Sequence, residues 1–298
     1  MKVAFLTAGG IAPCLSSAIG MLMNEYYTHN HKIKFIGYLY GYKGLLKGEK
    51  VSLEYNNEIE NLCKYGGSIL GNSRVKLTNI DDCINNGYIK DGENPLDIAA
   101  NQLIKDKIDV LHTIGGDDTN TTAGDLVAYL KNKNYKLTVV GLPKTIDNDV
   151  YPIKQTLGAA TAAEQTSIFF QNIVNENTTS SRQLIIHEVM GRNCGWLTAY
   201  SSYLYRKSLE KRTFLPSLLL DQNKWDIHAV YIPEAEFDLF EEVVRLRDIM
   251  DSVDCVNIFL SEGAGIENII KEMKANGEKI KYDAFGHVRL DELNPGKW

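Results

Sequence analysis

The stretch "LTVVGLPKTIDND", residues 137–149, decides the fold class expected for this chain. Its first half is a mostly apolar run without polar alternation, which is typical of a strand buried on both faces of a parallel sheet. Its second half places Lys144, Asp147 and Asp149 directly behind that strand. Ligands of open α/β sheets bind outside the carboxyl ends of the strands, so a functional loop is expected here. An Asx-type turn with solvated acids is the alternative interpretation.

Similar apolar runs recur along the chain, and each breaks into glycine or polar residues: "KVAFLTAGG", "IKFIGYLYG", "DVLHTIGGDD", "QLIIHEVMG", "HAVYIPE" and "CVNIFLSEG". Helical patterns with a period of 3.6 residues lie between them, as from Leu15 to Tyr26. Strands that alternate with amphipathic helices predict an α/β fold whose sheet is covered on both faces. With 298 residues the chain is long enough for one large domain or two lobes.

Composition excludes several classes of protein. The chain is 44% hydrophobic and 23% charged, as in ordinary globular proteins, and its net charge of −6 argues against nucleic-acid binding. The five cysteines are scattered without a CxxC pair, which favours reduced thiols over a disulfide framework or a zinc site. No apolar run is long enough for a signal peptide or a membrane span. We therefore expect a cytoplasmic protein with no membrane partner.

The segment "LTAGGIAPCLSSAIG" reads as a strand, a glycine turn and a helix. The backbone N–H groups of Gly9 and Gly10, together with the helix N-terminus behind them, predict a nest for phosphate. The segment is neither a Walker A loop nor a GxGxxG fingerprint, and a plain connector is the alternative.

The segment "IGGDDTN" places Asp117 and Asp118 where a strand ends and a helix begins. A carboxylate in that position can hold Mg²⁺, which takes one or two carboxylates and completes its shell with phosphate oxygens and water. The alternative is an N-cap aspartate followed by a first-turn aspartate, both favoured by the helix dipole. The two glycines before the acids clear space for a ligand and favour the functional interpretation.

The polar residues of "PKTIDND" have distinct expected roles. Asp147 can accept the proton of an attacking hydroxyl, and Asp149 can fix the local geometry or pair with a cation. Lys144 supplies a compact positive charge for a phosphoryl group in transfer.

Two later strand ends add further candidates. In "HEVMGRNCGW", Arg192 follows Met190 and Gly191 and can clamp a phosphate, although a surface ion pair is the alternative. Glu262 in "FLSEGAG" can accept hydrogen bonds from sugar hydroxyls or can be a first-turn glutamate, and His287 in "FGHVRLD" can donate to a sugar or phosphate or be structural. Together these groups indicate a phosphoryl-transfer site.

The motifs "TAGGIAP", "LGNSRVK", "GGDDTN", "PKTIDND", "EVMGRN", "SEGAG" and "FGH" occur in the order and rough spacing of the phosphofructokinases, which the chain resembles from residue 3 to about residue 291. The resemblance implies Mg²⁺-dependent phosphoryl transfer to the 1-hydroxyl of fructose 6-phosphate. It also implies a two-lobed fold with the site between the lobes, and a homo-oligomer, a dimer or tetramer. Residues 1–158 with about 276–298 would form the larger phosphoryl-donor domain, and residues 159–275 the smaller sugar-phosphate domain.

The resemblance also assigns roles by position in this sequence. Asp147 would be the proton acceptor, Asp117 the metal carboxylate, and Gly10 and Arg74 contacts of the donor phosphates. The residues that would line the sugar phosphate are Thr145, Asp147, Met190, Gly191, Arg192, Glu262 and, as a weaker member, His287.

The phosphoryl donor is indicated by Asp118 and Lys144, because they stand where ATP-using members read glycine in GGDG and PGTIDND. The pair resembles that of the pyrophosphate-dependent phosphofructokinases. Asp118 would crowd and repel the inner phosphate of a nucleotide, whereas Lys144 would neutralise a pyrophosphate leaving group. The reaction is then expected to run in both directions.

Two departures from the family pattern keep alternatives open. Gln183 stands where many relatives place a phosphate-binding arginine, with Arg182 one residue earlier, so the source of a subunit-bridging arginine is open. The C-terminal segment that the pyrophosphate-type relatives carry is expected to be absent. An ATP-dependent 6-phosphofructokinase and a catalytically silent truncated or regulatory member of the family are the alternatives.

Overall fold

The computed structural model of the chain describes residues 1–282, which form alternating strands and helices. They divide into two compact units, Met1–Gln165 and a second unit that begins at Thr166. The domain bounds expected from the sequence, 1–158 and 159–275, stay a prediction. Most of the return segment 276–298 lies outside the described residues.

The first unit is built on a five-stranded sheet of order β3-β2-β1-β4-β5. Its strands are β1 (Lys2–Thr7), β2 (Lys34–Tyr38), β3 (Lys50–Leu53), β4 (Val110–Gly115) and β5 (Thr138–Pro143). All neighbours are parallel except β3, which pairs antiparallel with β2. The short β3 was not anticipated, because its sequence "KVSL" carries no continuous apolar run.

Helices cover both faces of this sheet. They are α1 (Leu15–His29), α2 (Tyr42–Lys47), α3 (Ile80–Asn85), α4 (Pro95–Asp106) and α5 (Asp117–Asn132), with a 3₁₀ helix at Ile59–Lys64. Alternate residues of β1 separate two cores: Ala4 and Leu6 pack with α2, α4 and α5, whereas Val3 and Phe5 pack with α1. Helix α6 (Ala159–Asn177) begins in the first unit and ends in the second.

The parallel register places three strand ends at one edge of the sheet. Thr7 of β1 pairs with Ile114 of β4, and Gly115 of β4 pairs with Pro143 of β5. The loops that follow these three strands therefore start side by side.

The expectation of a fully buried strand at residues 137–143 is wrong, because every residue of β5 is partly or largely exposed. This strand lies at the edge of the sheet, and the Val140 side chain is 41% exposed. An edge strand has a sheet neighbour on one side only, and apolar composition alone does not distinguish it from a central strand.

The second unit has a three-stranded parallel sheet of order β6-β8-β7. Its elements are β6 (Gln183–Val189), α7 (Trp196–Leu209), β7 (Ala229–Tyr231), α8 (Leu239–Val253), β8 (Cys255–Ser261) and α9 (Ile266–Ala275). Residues 206–226 contain the end of α7 and two 3₁₀ turns, Pro216–Leu218 and Gln222–Lys224. Val189 and Ser261 pair at the ends of β6 and β8, so the loops that follow them are also neighbours.

The five cysteines are all free thiols. Among residues 1–282 the structure contains no helix with the length and apolar character that a membrane crossing requires.

Candidate active site

The three neighbouring loops of the first sheet bring the expected phosphate, metal and lysine positions together. The Lys144 backbone N–H donates to the Gly115 carbonyl oxygen at 2.9 Å, which ties the loop after β5 to the loop after β4. The Lys144 ammonium donates to the Gly10 carbonyl oxygen in the loop after β1. One lysine therefore connects all three strand ends.

The Lys144 side chain is buried, with 2% of its surface exposed. Burial lowers the pKa of its ammonium, and the positive charge of Arg74 lowers it further, while Cys14 acts in the opposite sense. Burial raises the pKa of the Cys14 thiol to about 11, so this thiol stays protonated at neutral pH. The site thus holds a buried ammonium, and the burial of its charge is energetically unfavourable unless an anion pairs with it.

The glycine turn after β1 differs in one respect from the expected phosphate nest. The Gly9 N–H donates to the Ser73 carbonyl oxygen at 2.9 Å, and the Ser16 N–H in the first turn of α1 donates to the Gly67 carbonyl oxygen at 2.9 Å. Both groups are therefore already used within the chain. The Gly10 N–H has no partner among residues 1–282, and a Cβ atom built on Gly10 meets nothing within 4 Å. Gly10 is the member of the expected pair that is open to a ligand.

Asp117 and Asp118 are the first two residues of α5 and are both exposed. The N-cap is Gly116, so Asp117 is not the N-cap residue. Asp118 Oδ2 lies 2.7 Å from the Nζ atom of Lys76, a residue that the sequence did not single out as functional. The Asp118 carboxylate is thus paired with a cation but remains at the surface, with 71% of its side chain exposed.

The "PKTIDND" loop is held by two residues that the sequence analysis missed. Asn148 adopts a left-handed backbone conformation, with φ of 56°, and its Oδ1 atom accepts from the Thr156 N–H at 2.7 Å. The Thr156 hydroxyl donates to the Thr145 carbonyl oxygen at 2.7 Å, and the Asp147 N–H donates to the Thr145 hydroxyl at 3.1 Å. The bond of Asn148 spans eight residues and is therefore not an Asx turn, and Asp147 stays half-buried beside it. Asparagine's tolerance of positive φ was the available signal.

The first unit offers a limited set of metal ligands. Nowhere in residues 1–282 do three or more His, Cys, Asp or Glu side chains gather as a cage for a metal ion. Mg²⁺ does not need such a cage, because one or two carboxylates suffice when phosphate oxygens and water complete its shell. The exposed carboxylate of Asp117, at the same sheet edge as the open Gly10 amide, fits that requirement.

In the second unit, the loops after β6 and β8 bring Arg192 and Glu262 together. Arg192 Nε lies 4.0 Å from Glu262 Oε1, and both side chains are partly exposed. The Ser261 hydroxyl donates to the Gly191 carbonyl oxygen at 2.5 Å, and the Glu262 N–H donates to the Val189 carbonyl oxygen at 2.9 Å. Helix α9 begins only at Ile266, so the first-turn interpretation of Glu262 is wrong.

Close backbone packing fixes these two loops, and Gly263 is the residue that the sequence analysis missed. A Cβ atom at Gly263 would lie 1.7 Å from the Arg192 carbonyl oxygen, so only glycine fits without a shift of the loop. Gly191 has a φ of 136°, and a Cβ atom there would lie 2.3 Å from the Cys194 carbonyl oxygen. The exposed Met190 precedes this turn.

The remaining candidate residues are Arg182, Asp149, Arg74 and His287. The Arg182 Nη1 atom lies 2.7 Å from Asp251 Oδ1 within the same chain, with both side chains more than half exposed. The exposed Asp149 follows the Asn148 turn, and the exposed Arg74 acts electrostatically on Lys144. His287 lies outside the described residues.

Comparison with known proteins identifies the family of the chain. A family model described as Phosphofructokinase matches residues 2–290. A pyrophosphate–fructose 6-phosphate 1-phosphotransferase of Methylomonas methanica is 57% identical over 299 residues, which cover 100% of this chain and 73% of that protein. One of Mastigamoeba balamuthi is 56% identical and is covered to the same 73%, by 99% of this chain.

A solved structure shows the same fold. It is a pyrophosphate-dependent phosphofructokinase from Marinobacter aquaeolei, which superposes with a TM-score of 0.70 at 22% identity. The match covers 94% of this chain and 67% of that chain. The expected α/β fold with helix-flanked sheets is confirmed.

Proposed function

Because the chain belongs to the phosphofructokinase family, we propose that it transfers a phosphoryl group from pyrophosphate to the 1-hydroxyl of fructose 6-phosphate. The products are fructose 1,6-bisphosphate and phosphate, and the reaction runs in both directions. Relatives that are more than half identical over the length of this chain are named for this activity. Within the chain, the observation that supports pyrophosphate as donor is the buried Lys144 ammonium at the strand edge.

The donor phosphates bind at the edge of the first sheet. The open Gly10 N–H donates to a phosphate oxygen, and the exposed Arg74 guanidinium reaches the same chain. Lys144 neutralises the phosphate that leaves, because its charge is buried and already oriented toward the Gly9–Gly10 turn. The Asp118 carboxylate occupies the first turn of α5, where it repels the inner phosphate of a nucleotide.

The acceptor sugar phosphate binds through the loops of the second unit. The Arg192 guanidinium pairs with the 6-phosphate, and Glu262 accepts hydrogen bonds from sugar hydroxyls. Met190 and Gly191 line the same group. The family resemblance assigns Thr145 and His287 to sugar-phosphate binding as well, and His287 lies outside the described residues.

The chemical step uses one proton acceptor. The Asp147 carboxylate takes the proton of the 1-hydroxyl as that oxygen forms a bond to phosphorus and the bridging P–O bond of pyrophosphate breaks. The electron pair of the broken bond leaves with phosphate, whose charge Lys144 and Arg74 stabilise. In the reverse direction the protonated Asp147 returns the proton. Asp149 fixes the loop geometry or pairs with a cation.

Asp117 would hold Mg²⁺ together with pyrophosphate oxygens. The ion supplies charge neutralisation on the donor when it is bound. The homo-oligomer expected from the family, a dimer or tetramer, belongs to the same proposal.

A coupled assay with pyrophosphate and ATP side by side tests the function. With Mg²⁺ and fructose 6-phosphate, we expect fructose 1,6-bisphosphate from pyrophosphate, and a kcat/KM for ATP lower by about 100-fold or more, equivalent to about 2.7 kcal/mol of discrimination. Turnover with ATP and none with pyrophosphate would identify the ATP-dependent alternative. Binding of fructose 6-phosphate in a calorimeter without turnover on either donor would identify a silent family member.

A further inference from the structure

Asn72, in the "GNSR" segment at residues 71–74, lies against the glycine turn after β1. Its Nδ2 atom donates to the Gly9 carbonyl oxygen and also contacts the Gly10 carbonyl oxygen at 3.3 Å. The Lys144 ammonium donates to that same Gly10 oxygen. Two consecutive carbonyl groups are therefore held by side chains from other loops.

A trans peptide points its carbonyl oxygen and its N–H in opposite directions. When Asn72 holds the Gly9 oxygen, the Gly10 N–H must face the other way, and when the Gly10 oxygen is held, the Ile11 N–H must do the same. Neither N–H donates a hydrogen bond to any of residues 1–282. Gly10 has open space around its Cβ direction, and Ile11 is 79% exposed. Consecutive free N–H groups of this kind bind anions.

The oxygen atom of the Asn72 amide supports a role for this residue in orienting the glycine turn toward an anion. Its Oδ1 atom is buried and has no hydrogen-bond partner among the residues that the structure describes. A buried acceptor without a partner costs stability, so the fold gains little from Asn72 beyond the bonds of its Nδ2 atom. The amide orientation follows from its neighbours, because both groups that face Nδ2 are carbonyl oxygens.

We propose that Asn72 is a positioning residue for the phosphoryl donor: it locks the Gly9–Gly10 and Gly10–Ile11 peptides so that their N–H groups face the pyrophosphate. This inference rests on the proposed function and adds a residue to its donor site. Asn72 does not touch the reacting atoms and acts through the backbone amides.

Asn72→Asp is the decisive variant, because it keeps the shape of the side chain but turns a donor into a carboxylate that repels both carbonyl oxygens. We expect the KM for pyrophosphate to rise about tenfold or more, while the KM for fructose 6-phosphate stays within about twofold. Asn72→Ala is expected to give a smaller rise of the same kind. Asn101→Asp, the same change at a surface asparagine of α4, is the matched control and should alter neither KM.

A binding measurement makes the inference independent of turnover. Calorimetric titration with Mg²⁺-pyrophosphate should show the same loss of affinity in Asn72→Asp. The amide signals of Gly10 and Ile11 in nitrogen-15 spectra should shift at lower pyrophosphate concentrations in the wild type than in this variant. Thermal unfolding of each variant records whether it is folded.

The possible failures are distinguishable. Unchanged pyrophosphate affinity in Asn72→Asp, or an equal rise in both KM values, overturns the role of Asn72 and leaves the proposed function standing. A wild type that binds pyrophosphate without turnover overturns the proposed function, and the binding comparison still decides Asn72. A wild type that binds no pyrophosphate overturns both.

Discussion

At the scale of single residues, Lys144 and Asp118 lie at the same edge of the sheet but differ in burial. Lys144 is almost completely buried and bonds a backbone carbonyl, whereas Asp118 is exposed and pairs with Lys76 at the surface. An exposed ion pair contributes little to stability, and a buried ammonium is a net cost unless it is compensated. The lysine is therefore expected to serve the reaction more than the fold.

Replacing Lys144 by methionine tests this distinction. We expect kcat with pyrophosphate to fall by about 100- to 1,000-fold, because a preorganised charge on the leaving phosphate is lost. The temperature of unfolding should stay equal or rise, because a buried charge is replaced by an apolar group of similar length. Lys131→Met, at an exposed position of α5, is the control for both measurements. Normal turnover in Lys144→Met would remove the lysine from the mechanism.

The same lysine predicts a pH dependence whose sign follows from burial. Its pKa in the folded chain is lowered from the ordinary 10.5, so the ammonium loses its proton at a lower pH than in the unfolded chain. The unfavourable free energy of the buried charge therefore disappears as pH rises through the folded pKa. The unfolding temperature should rise in that pH range. Activity should fall in the same alkaline window, and Lys144→Met should lack both effects.

The proposed chemical step depends on Asp147 as the proton acceptor. Asp147→Asn keeps the shape of the side chain but cannot accept a proton, so kcat is expected to fall by about 100- to 10,000-fold. The affinity for fructose 6-phosphate, measured by calorimetry, should remain within about threefold because the sugar contacts are kept. Asp91→Asn, at an exposed site, is the control. A kcat close to the wild-type value would assign the proton transfer to another group.

The residues of the site were predictable to different degrees. Lys144, Asp117 and Asp147 could be proposed from the sequence because charged groups that follow buried strands are candidates for ligand binding. Asn148 and Thr156 bond each other and Thr145 within one irregular loop, where only the tolerance of asparagine for positive φ gave a signal. Asn72 could not be identified, because it bonds the backbone of a loop distant in sequence. A hydrogen bond between segments 62 residues apart leaves no periodic pattern in the sequence.

At the scale of elements, parallel pairing of β6 and β8 brings their following loops into backbone contact. Gly263→Ala should push against the Arg192 carbonyl oxygen and displace Arg192, because the new Cβ atom would lie 1.7 Å from that oxygen. We expect the KM for fructose 6-phosphate to rise about tenfold or more, with a loss of about 1–3 kcal/mol in the free energy of unfolding. The KM for pyrophosphate should change little.

Gly124→Ala is the matched control for this prediction. Gly124 lies within α5, and its Cβ direction is open, so alanine should leave both KM values unchanged and stabilise the helix by about 1 kcal/mol. Equal effects of the two substitutions on fructose 6-phosphate would argue against the role of the Gly263 loop.

A buried histidine on the interior strand β4 predicts sensitivity to acid. His112 stacks on Phe5 and shares a hydrogen bond of 2.9 Å with the Tyr26 hydroxyl, and burial lowers its pKa from 6.5 to about 4. The unfolded chain therefore takes up this proton first. The stability that neutral His112 permits is complete above pH 6.5 and is lost as pH falls from 6.5 toward about 4.

His112→Phe should flatten that decline, measured as the free energy of unfolding in urea at several pH values. His29→Phe, at an exposed position of α1, should leave the slope unchanged. An unaltered decline in His112→Phe would assign the acid sensitivity to other buried groups, such as His187, whose pKa burial also lowers.

The fold class could be predicted from the sequence, whereas the exposure of β5 and the antiparallel pairing of β3 could not. Apolar runs located seven of the eight strands of the described residues, and helical periods predicted helices between them. Both signals are properties of contiguous residues. The exposure of β5 and the antiparallel β3 depend on which strand lies next to which. That information belongs to tertiary pairing and is absent from the local pattern.

At the scale of the whole molecule, an acidic chain is proposed to bind two anionic substrates. The net charge is −6, and pyrophosphate must approach the exposed carboxylates of Asp117 and Asp118. Coulomb repulsion opposes that approach unless a cation intervenes. The local cations Arg74 and Lys144 and the metal ion at Asp117 are expected to reverse the sign of the field at this site.

Removal of Mg²⁺ should therefore weaken the binding of pyrophosphate but not the binding of fructose 6-phosphate. With Mg²⁺ present, each substrate at about 100 times its Kd should stabilise the folded chain by about 2.7 kcal/mol, seen as a higher Tm. Excess EDTA should abolish the Tm shift with pyrophosphate and preserve the shift with fructose 6-phosphate, because only the donor is expected to depend on the metal. Asp117→Asn should weaken the pyrophosphate shift selectively, whereas Asp125→Asn, an exposed acid further along α5, should not. An equal pyrophosphate shift in EDTA would mean that Lys144, Arg74 and the turn amides hold the donor alone, and Asp117 would lose its assigned role.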